Sequence, residues 1–451
     1  MQDRFKNAFL LLASIVFYSW GAPKFIFVIL ATTTLDFYLV RMMDDAQSEK
    51  RRKLFFILSL CLNTGLLFYF KYCNFFVENV NHVLSFIGAG QIEWVKIVLP
   101  IGISFYTFES ITYVVDVYRK EHKPLSDFFQ YQMYILFFPK LIAGPIVRFS
   151  EIADQITGRF ATYNSDMLLE GFCRFAIGLA KKVLIANVMA RMATAAFAAP
   201  IESMDAVDCW IGALAYTFQI YFDFSGYSDM AIGLAKMLGF RLPENFNNPY
   251  VATSITDFWR RWHITLGSWM RNYLYIPLGG NRVSSKTRLY FNLWLVFVLS
   301  GFWHGASWTF IAWGLFHGFW LVMDRVFLLE VLEKNKVVAH IFTFILVVIG
   351  WVLFKSDSLS QASAYIQQMF DFGDEMSVDP EFKPLFFFTL SFFFSFFVLL
   401  PYGLRVQDFV YYRSKGVLAS YAMVFIGMAL FVLSVAAITS SDFNPFIYFR
   451  F

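Results

Sequence analysis

Apolar and polar positions fall in long blocks along this chain rather than alternating residue by residue. Apolar runs of helical length cover 8–20, 25–40, 54–70, 95–118, 128–143, 168–198, 207–222 and 228–240. After a more polar interval they resume at 289–303, 306–328, 337–354, 384–403 and 417–438. A crossing helix needs about 20 apolar residues, and several of these runs are shorter. The stretch from Phe138 to Pro145 also puts two prolines and a glycine inside one run. Such pieces predict re-entrant or broken helices, which membranes tolerate only where protein buries them or where they line a cavity. The pattern therefore predicts an all-α polytopic membrane protein with roughly 11–13 transmembrane or re-entrant helices. No polar block is long enough for a separate soluble domain, so residues 1–451 read as one membrane-embedded unit. Within it, 1–143 supplies N-terminal helices, 144–330 a core, and 331–451 C-terminal helices.

Charge orients the runs. Lys50, Arg51, Arg52 and Lys53 form one basic cluster, and Arg119, Lys120, His122 and Lys123 another. Positive clusters stay cytoplasmic, and two intervening runs return the chain to the same side, so the assignments agree. Between Ser356 and Phe382 there is no Lys or Arg, but Asp357, Asp371, Asp374, Glu375, Asp379 and Glu381 are present, as expected of an external loop. Arg405, Arg413 and Lys415 bring the chain back inside, which leaves the N-terminus cytoplasmic and the C-terminus extracytoplasmic. By the same count the basic stretch 260–288 is cytoplasmic and His304 lies towards the outer half of the membrane.

Composition fits this class: 58% of residues are hydrophobic and 16% charged, against roughly 25% charged in soluble domains. The net charge of +4 sits in short clusters between apolar runs, which argues against a nucleic-acid partner. Cys61, Cys73, Cys173 and Cys209 are dispersed in apolar surroundings and read as packing residues, not as a disulfide framework or metal site. Arg4 and Lys6 ahead of Ala8–Trp20 mimic a signal peptide. The apolar run that follows at once favours an uncleaved first helix. There is no internal repeat, which weakens a transporter reading, since many transporters are built from repeats with matching broken helices.

Candidate chemistry begins at His304, within Gly301–Phe302–Trp303–His304–Gly305–Ala306. From Tyr290 to Leu329, the groups ahead of Asp324 that titrate near neutrality are His304 and His317. An ionisable side chain at membrane depth is costly and marks a functional site, and imidazole exchanges a proton near neutrality. Gly301 and Gly305 allow a backbone or a narrow substrate close to the ring. A histidine satisfied by an interhelical hydrogen bond is the alternative. His304 and His317 are 13 residues apart, about 220° on a helical wheel, which disfavours a shared metal.

A second constellation runs from Leu242 to Arg288. It includes Pro243–Glu244–Asn245–Phe246–Asn247–Asn248–Pro249–Tyr250 and Asp257–Phe258–Trp259–Arg260–Arg261–Trp262–His263. Thr256 or Asp257 caps a predicted helix that continues to about Tyr275. Trp259, Trp262, His263, Leu266, Trp269 and Tyr273 would share its aromatic face, with Arg260, Ile264 and Arg271 on another. The arginines either hold an interfacial helix to anionic lipid, or receive the phosphates of a cytoplasmic acyl donor, which guanidinium binds in bidentate fashion. Asp223 and Asp229, among Ser225, Gly226 and Ser228, are buried-carboxylate candidates, with capping of a broken helix the favoured duty.

These motifs, with Tyr273–Leu274–Tyr275–Ile276–Pro277–Leu278–Gly279–Gly280–Asn281–Arg282, Tyr221–Met230, Gly144–Pro145 and the closing Phe446–Phe449, resemble the membrane-bound O-acyltransferases. The bacterial branch that O-acetylates alginate and related envelope polysaccharides fits best. That family carries a further apolar helix ahead of the position of Ala8. The resemblance implies a ring of helices around a central tunnel, with His304 as catalytic residue and His263 as a second required group. Trp303, Asn248, Arg260, Arg261, Arg271 and His317 are candidate substrate-binding residues, and no metal is implied. No cofactor would be bound permanently, since acetyl-CoA or another acyl thioester serves as donor substrate. Partners would be that cytoplasmic donor, an extracytoplasmic glycan or acetyl-relay protein, and the lipid of a bacterial inner membrane. A neutral, desolvated imidazole suits removal of the acceptor hydroxyl proton. The competing readings are D-alanyl transfer from a carrier protein toward teichoic acid, and a proton-coupled transporter or flippase using His304 as a relay.

Overall fold

A computed structural model describes residues 2–159, 163–373, 382–411, 416–440 and 445–446. All regular elements among them are helical. The chain forms two compact units: Met1–Ser165 with Leu238–Pro243, and Asp166–Met237 with Glu244–Phe451.

The first unit contains α1 (Gln2–Gly21), α2 (Phe25–Asp44), α3 (Glu49–Phe86), α4 (Ile103–Tyr118), α5 (Phe128–Leu136) and α6 (Phe149–Gly158). Polar side chains tie them together where no water can. Buried Asp36 of α2 accepts from Asn63 of α3 at 3.1 Å and from the Tyr131 hydroxyl of α5 at 2.9 Å, and the Ser59 hydroxyl donates to it as well. Lys140 and Glu109 form a fully buried ion pair. Each charge is tolerable in that setting because its partner is in place. The run expected to be helical over 95–118 has no regular structure up to Pro100 and is helical only from Ile103. Gly102, at φ +76°, takes the left-handed turn that starts α4, and a Cβ there would sit 2.6 Å from the Leu141 carbonyl oxygen. Conversely α3 runs on to Phe86 through a π-helical turn at Phe68–Tyr72, beyond the expected end at 70. The run 128–143 breaks as predicted, at Phe137, before the single turn Phe138–Leu141.

The second unit opens with α7 (Ser165–Ala180), which passes through a π-helical stretch, Lys181–Ala186, into α8 (Asn187–Ala198). The 32-residue α9 (Ala206–Met237) follows. The sequence predicts two helices here, with Asp223 and Asp229 capping the break. The structure corrects this. Lys182 Nζ lies 2.7 Å from Asp223, while Arg174 and Lys181 each lie 2.7 Å from Asp229, so the carboxylates are neutralised from the neighbouring helix and α9 continues unbroken. Four glycines make that approach possible. A Cβ on Gly178 would stand 2.5 Å from the Gly226 carbonyl oxygen, and one on Gly171 2.7 Å from that of Gly233, with equally close reciprocal contacts. Helix backbones touch along this line, as small residues allow in membrane proteins.

The unit continues with α10 (Ile255–Arg261), α11 (Ile264–Met270), α12 (Lys286–His304), α13 (Trp308–Met323), α14 (Lys336–Lys355) and α15 (Leu359–Gln368). It ends with α16 (Phe382–Phe396), α17 (Gly403–Tyr411) and α18 (Val417–Thr439). Residues Leu385–Leu399 and Gly403–Tyr411 meet at a 98° bend. Among the described residues, four helices are long and apolar enough to cross a membrane, or five if that bent pair counts as one span. Much of the acidic loop, Arg413, Lys415 and the closing Ile447–Phe449 lie outside the described residues.

Candidate active site

Two short hairpin-like connections build the site. In the first, α12 ends on His304, and Gly305–Ser307 turn the chain into α13. The helices pack backbone to backbone: a Cβ on Gly301 would lie 2.3 Å from the Phe310 carbonyl oxygen, and one on Gly314 2.5 Å from that of Phe297. The room beside Gly305 is taken by the Phe310 ring, 2.1 Å from where a Cβ would be. The glycines flanking His304 thus admit a neighbouring helix and its aromatic ring rather than a substrate. His304 is buried, with Trp303, Trp313 and Phe354 packed around its imidazole at centroid distances of 4.9, 5.2 and 5.3 Å.

In the second connection, the helix expected from Thr256 to Tyr275 is broken in the middle. Ser254, rather than Thr256 or Asp257, is its N-cap, accepting from the Asp257 amide at 3.0 Å. Asp324, at the end of α13, accepts from the amide and hydroxyl of Thr256. The break falls at His263, whose backbone is left-handed at φ +44°, a strained state for a non-glycine residue that is found where surroundings over-determine it. Those surroundings are the Asn-rich stretch upstream. The Ile264 amide donates to the Asn245 carbonyl and the Asn247 amide to the Arg261 carbonyl, both at 2.9 Å. The single aromatic face read for an unbroken helix does not survive this break.

Asn245, which sequence reasoning left out of the candidate set, holds the His263 ring. Its Oδ1 accepts from the Thr265 hydroxyl at 2.9 Å and, more distantly, from the Thr265 amide at 3.4 Å, while its Nδ2 donates to Ser228 at 3.0 Å. An oxygen facing the Thr265 amide must be the acceptor, so His263 Nδ1, 3.0 Å away, is the protonated nitrogen. The neutral ring then carries its lone pair on Nε2. His263 lies outside the membrane-crossing helices, and burial lowers its pKa to about 3, so the ring is uncharged near neutrality.

The structure brings the two histidines together through one indole. Trp303 packs against His304, and its ring centroid is 6.5 Å from that of His263. Phe224 of α9 closes the other side of His263 at 4.6 Å. His317 is fully buried one step away, between Trp259 and Trp313, each at 5.0 Å. Trp313 touches both His304 and His317, so their shared neighbour is an aromatic ring. Asn248 is also left-handed, at φ +46°, and donates to Gln407 of α17 at 2.8 Å. Arg260 and Arg271 are exposed. Arg261 is engaged by Asp257 at 2.9 Å, with the Asn247 carbonyl at 3.4 Å.

The sequence profile of the membrane-bound O-acyltransferases matches residues 8–356, which contain both histidines. The chain belongs to that family. Among its acyltransferase relatives is a protein named as a probable alginate O-acetylase in Azotobacter vinelandii, 40% identical over 484 positions that cover 99% of this chain and 95% of the relative. A peptidoglycan O-acetyltransferase of Helicobacter pylori is 38% identical over 394 positions, 81% of this chain and 74% of that one. A teichoic acid D-alanyltransferase of Bacillus subtilis is more distant, at 29% over 275 positions, 56% of this chain and 68% of that one. This membrane-bound O-acyltransferase is therefore an enzyme, all-helical and membrane-embedded.

Proposed function

We propose that the protein moves an acetyl group from a cytoplasmic thioester to a hydroxyl of an extracytoplasmic envelope polysaccharide, or to a partner that relays it there. His304 acts as general base. Its imidazole takes the acceptor hydroxyl proton as that oxygen attacks the thioester carbonyl. The tetrahedral intermediate then expels the thiolate, which receives the proton back from the imidazolium. Positioned general bases contribute about 10²–10⁴-fold. His263, presenting Nε2, orients the donor thioester. Arg260 and Arg271, exposed on the segment that carries His263, receive the donor's phosphates. The protein sits in a bacterial inner membrane, with the N-terminus cytoplasmic and the C-terminus outside.

The observation that carries this reading is the packing of both histidines on Trp303. Support for acetyl transfer comes from the two O-acetylating relatives, each at least 38% identical. D-alanyl transfer, named for a relative at 29% identity, would use the same bond changes with a different acyl group. The deciding experiment is mass spectrometry of envelope glycan from cells with the protein, without it, and with His304→Ala. Ester content should fall in the last two. Unchanged ester content would overturn the polysaccharide assignment.

A further inference from the structure

The second unit contains a cavity of about 570 Å³ whose lining includes neither His263 nor His304. One end is charged. Arg174 of α7 donates to Asp229 at 2.7 Å and to both carboxylate oxygens of Glu244, at 2.5 and 3.1 Å, beneath the Tyr411 ring at 4.2 Å. Lys181, one heptad on, reaches the other oxygen of Asp229 at 2.7 Å. The buried Ser225 hydroxyl also lines the cavity, and it has no hydrogen-bond partner among the described residues. The other end is hydrocarbon, formed by Phe393 and Phe394 of α16 and Ile426 and Leu430 of α18. Phe393, Phe394 and Ile426 are 49%, 43% and 50% exposed, on elements whose composition places them in the bilayer.

We propose that this cavity is a binding site for one zwitterionic phospholipid with a primary-amine headgroup. The mouth lies on lipid-facing helices, so its ligand arrives from the bilayer and lays an acyl chain along α16 and α18. The charged end selects the head. Arg174 and Lys181 are balanced by Asp229 and Glu244, so a purely anionic head that takes Arg174 would leave Glu244 without a cation. A phosphate flanked by an ammonium matches both signs at once: phosphate oxygens meet Arg174, Lys181 and Ser225, and the ammonium meets Glu244. Choline offers no N–H donors to Glu244 and ranks lower. Because Asn245 and Asn248 also line the cavity, the lipid abuts the stretch that holds His263.

The test reads lipid retention, which is independent of whether the acyl-transfer proposal holds. Detergent-stripped protein is exposed to dioleoyl lipids with phosphoethanolamine, phosphocholine or phosphoglycerol heads, and native mass spectrometry counts what remains bound. We expect one retained ethanolamine lipid, favoured about ten-fold over the glycerol lipid. Glu244→Gln should keep a lipid but lose the preference, and Ile426→Trp with Leu430→Trp should displace it. Headgroup competition on the unaltered protein decides the matter if those variants fail to fold. Absence of a retained lipid, indifference to headgroup, or displacement by an acyl-pantetheine thioester would each overturn the proposal, the last by making the cavity a donor path.

Discussion

Replacing Asn245 by leucine tests the site more sharply than removing either histidine, because Asn245 touches the chemistry only through His263. Leucine has the same branched shape and number of heavy atoms, though it is bulkier, and it accepts nothing. The substitution strips the acceptor from His263 Nδ1–H at 3.0 Å and from the Thr265 hydroxyl at 2.9 Å, and removes the donor to Ser228. A buried donor left without its acceptor costs about 1–3 kcal/mol. Two such losses, offset in part by the added apolar burial, give about 2–4 kcal/mol of destabilisation. Catalysis should suffer separately. With Nδ1–H no longer directed, the ring loses its fixed tautomer and orientation; loss of the group that orients a metal-bound imidazole costs about 10–100-fold, and a loss of that order is expected here. Asn245→Asp keeps an acceptor oxygen but adds charge beside the ring, raising the His263 pKa, so its rate should gain a pH dependence near neutrality that the parent lacks. The assay is thiol release from an acyl thioester in nanodiscs between pH 6 and 9, with kcat and KM separated and thermal unfolding measured alongside. A folded Asn245→Leu enzyme with kcat within two-fold of the parent would refute the claim that Asn245 positions His263.

Other outcomes follow from the same geometry. His304→Gln should retain the parent's thermal transition yet lower kcat by about 10²–10⁴-fold, read by the same thiol assay. Gly178→Leu should destabilise by about 3 kcal/mol or more or abolish insertion, since even its Cβ would sit 2.5 Å from the Gly226 carbonyl oxygen; fluorescence-detected size exclusion reports this. Arg260→Gln should raise KM for a phosphate-bearing donor with little change in kcat, whereas Arg261→Gln, already engaged by Asp257, should change KM less. His263 has a folded pKa of about 3, below its ordinary value of about 6.5. Its stabilising contribution is therefore complete above about pH 6.5 and is lost as pH falls toward about 3, at up to about 1.4 kcal/mol per unit. His263→Gln should flatten the fall in melting temperature over that window.

The class of the fold and the burial of His304 and His317 were legible because both depend on local signals: long apolar runs, and imidazoles placed where hydrocarbon belongs; His263 stood out only through the family resemblance. What escaped depends on partners distant in sequence. Asp223 and Asp229 look like helix breakers until Lys182, Arg174 and Lys181 are placed against them. A clue existed in the seven-residue spacing shared by Gly171 and Gly178, Arg174 and Lys181, and Gly226 and Gly233, which puts small and charged residues on matching lines. The break at His263 was hidden because periodicity favours an unbroken helix, and only pairing with Asn245 and Asn247 interrupts it. Asn245 itself sat in view, but nothing local separates it from Asn247 or Asn248. Gly301 and Gly305 signalled close approach of a backbone or a substrate; a backbone fills the space at Gly301 and the Phe310 ring that at Gly305.

The left-handed backbone at position 263 has a practical consequence for anyone dissecting this enzyme. An alanine there removes the imidazole and simultaneously imposes a torsional penalty of its own, so a dead His263→Ala protein would confound lost chemistry with lost shape. Asparagine, like histidine itself, tolerates that torsion better than most side chains with a Cβ, and it carries an amide donor in place of the ring N–H. His263→Asn is thus the informative blank: a silent ring position on an otherwise unperturbed scaffold, against which every other replacement should be normalised.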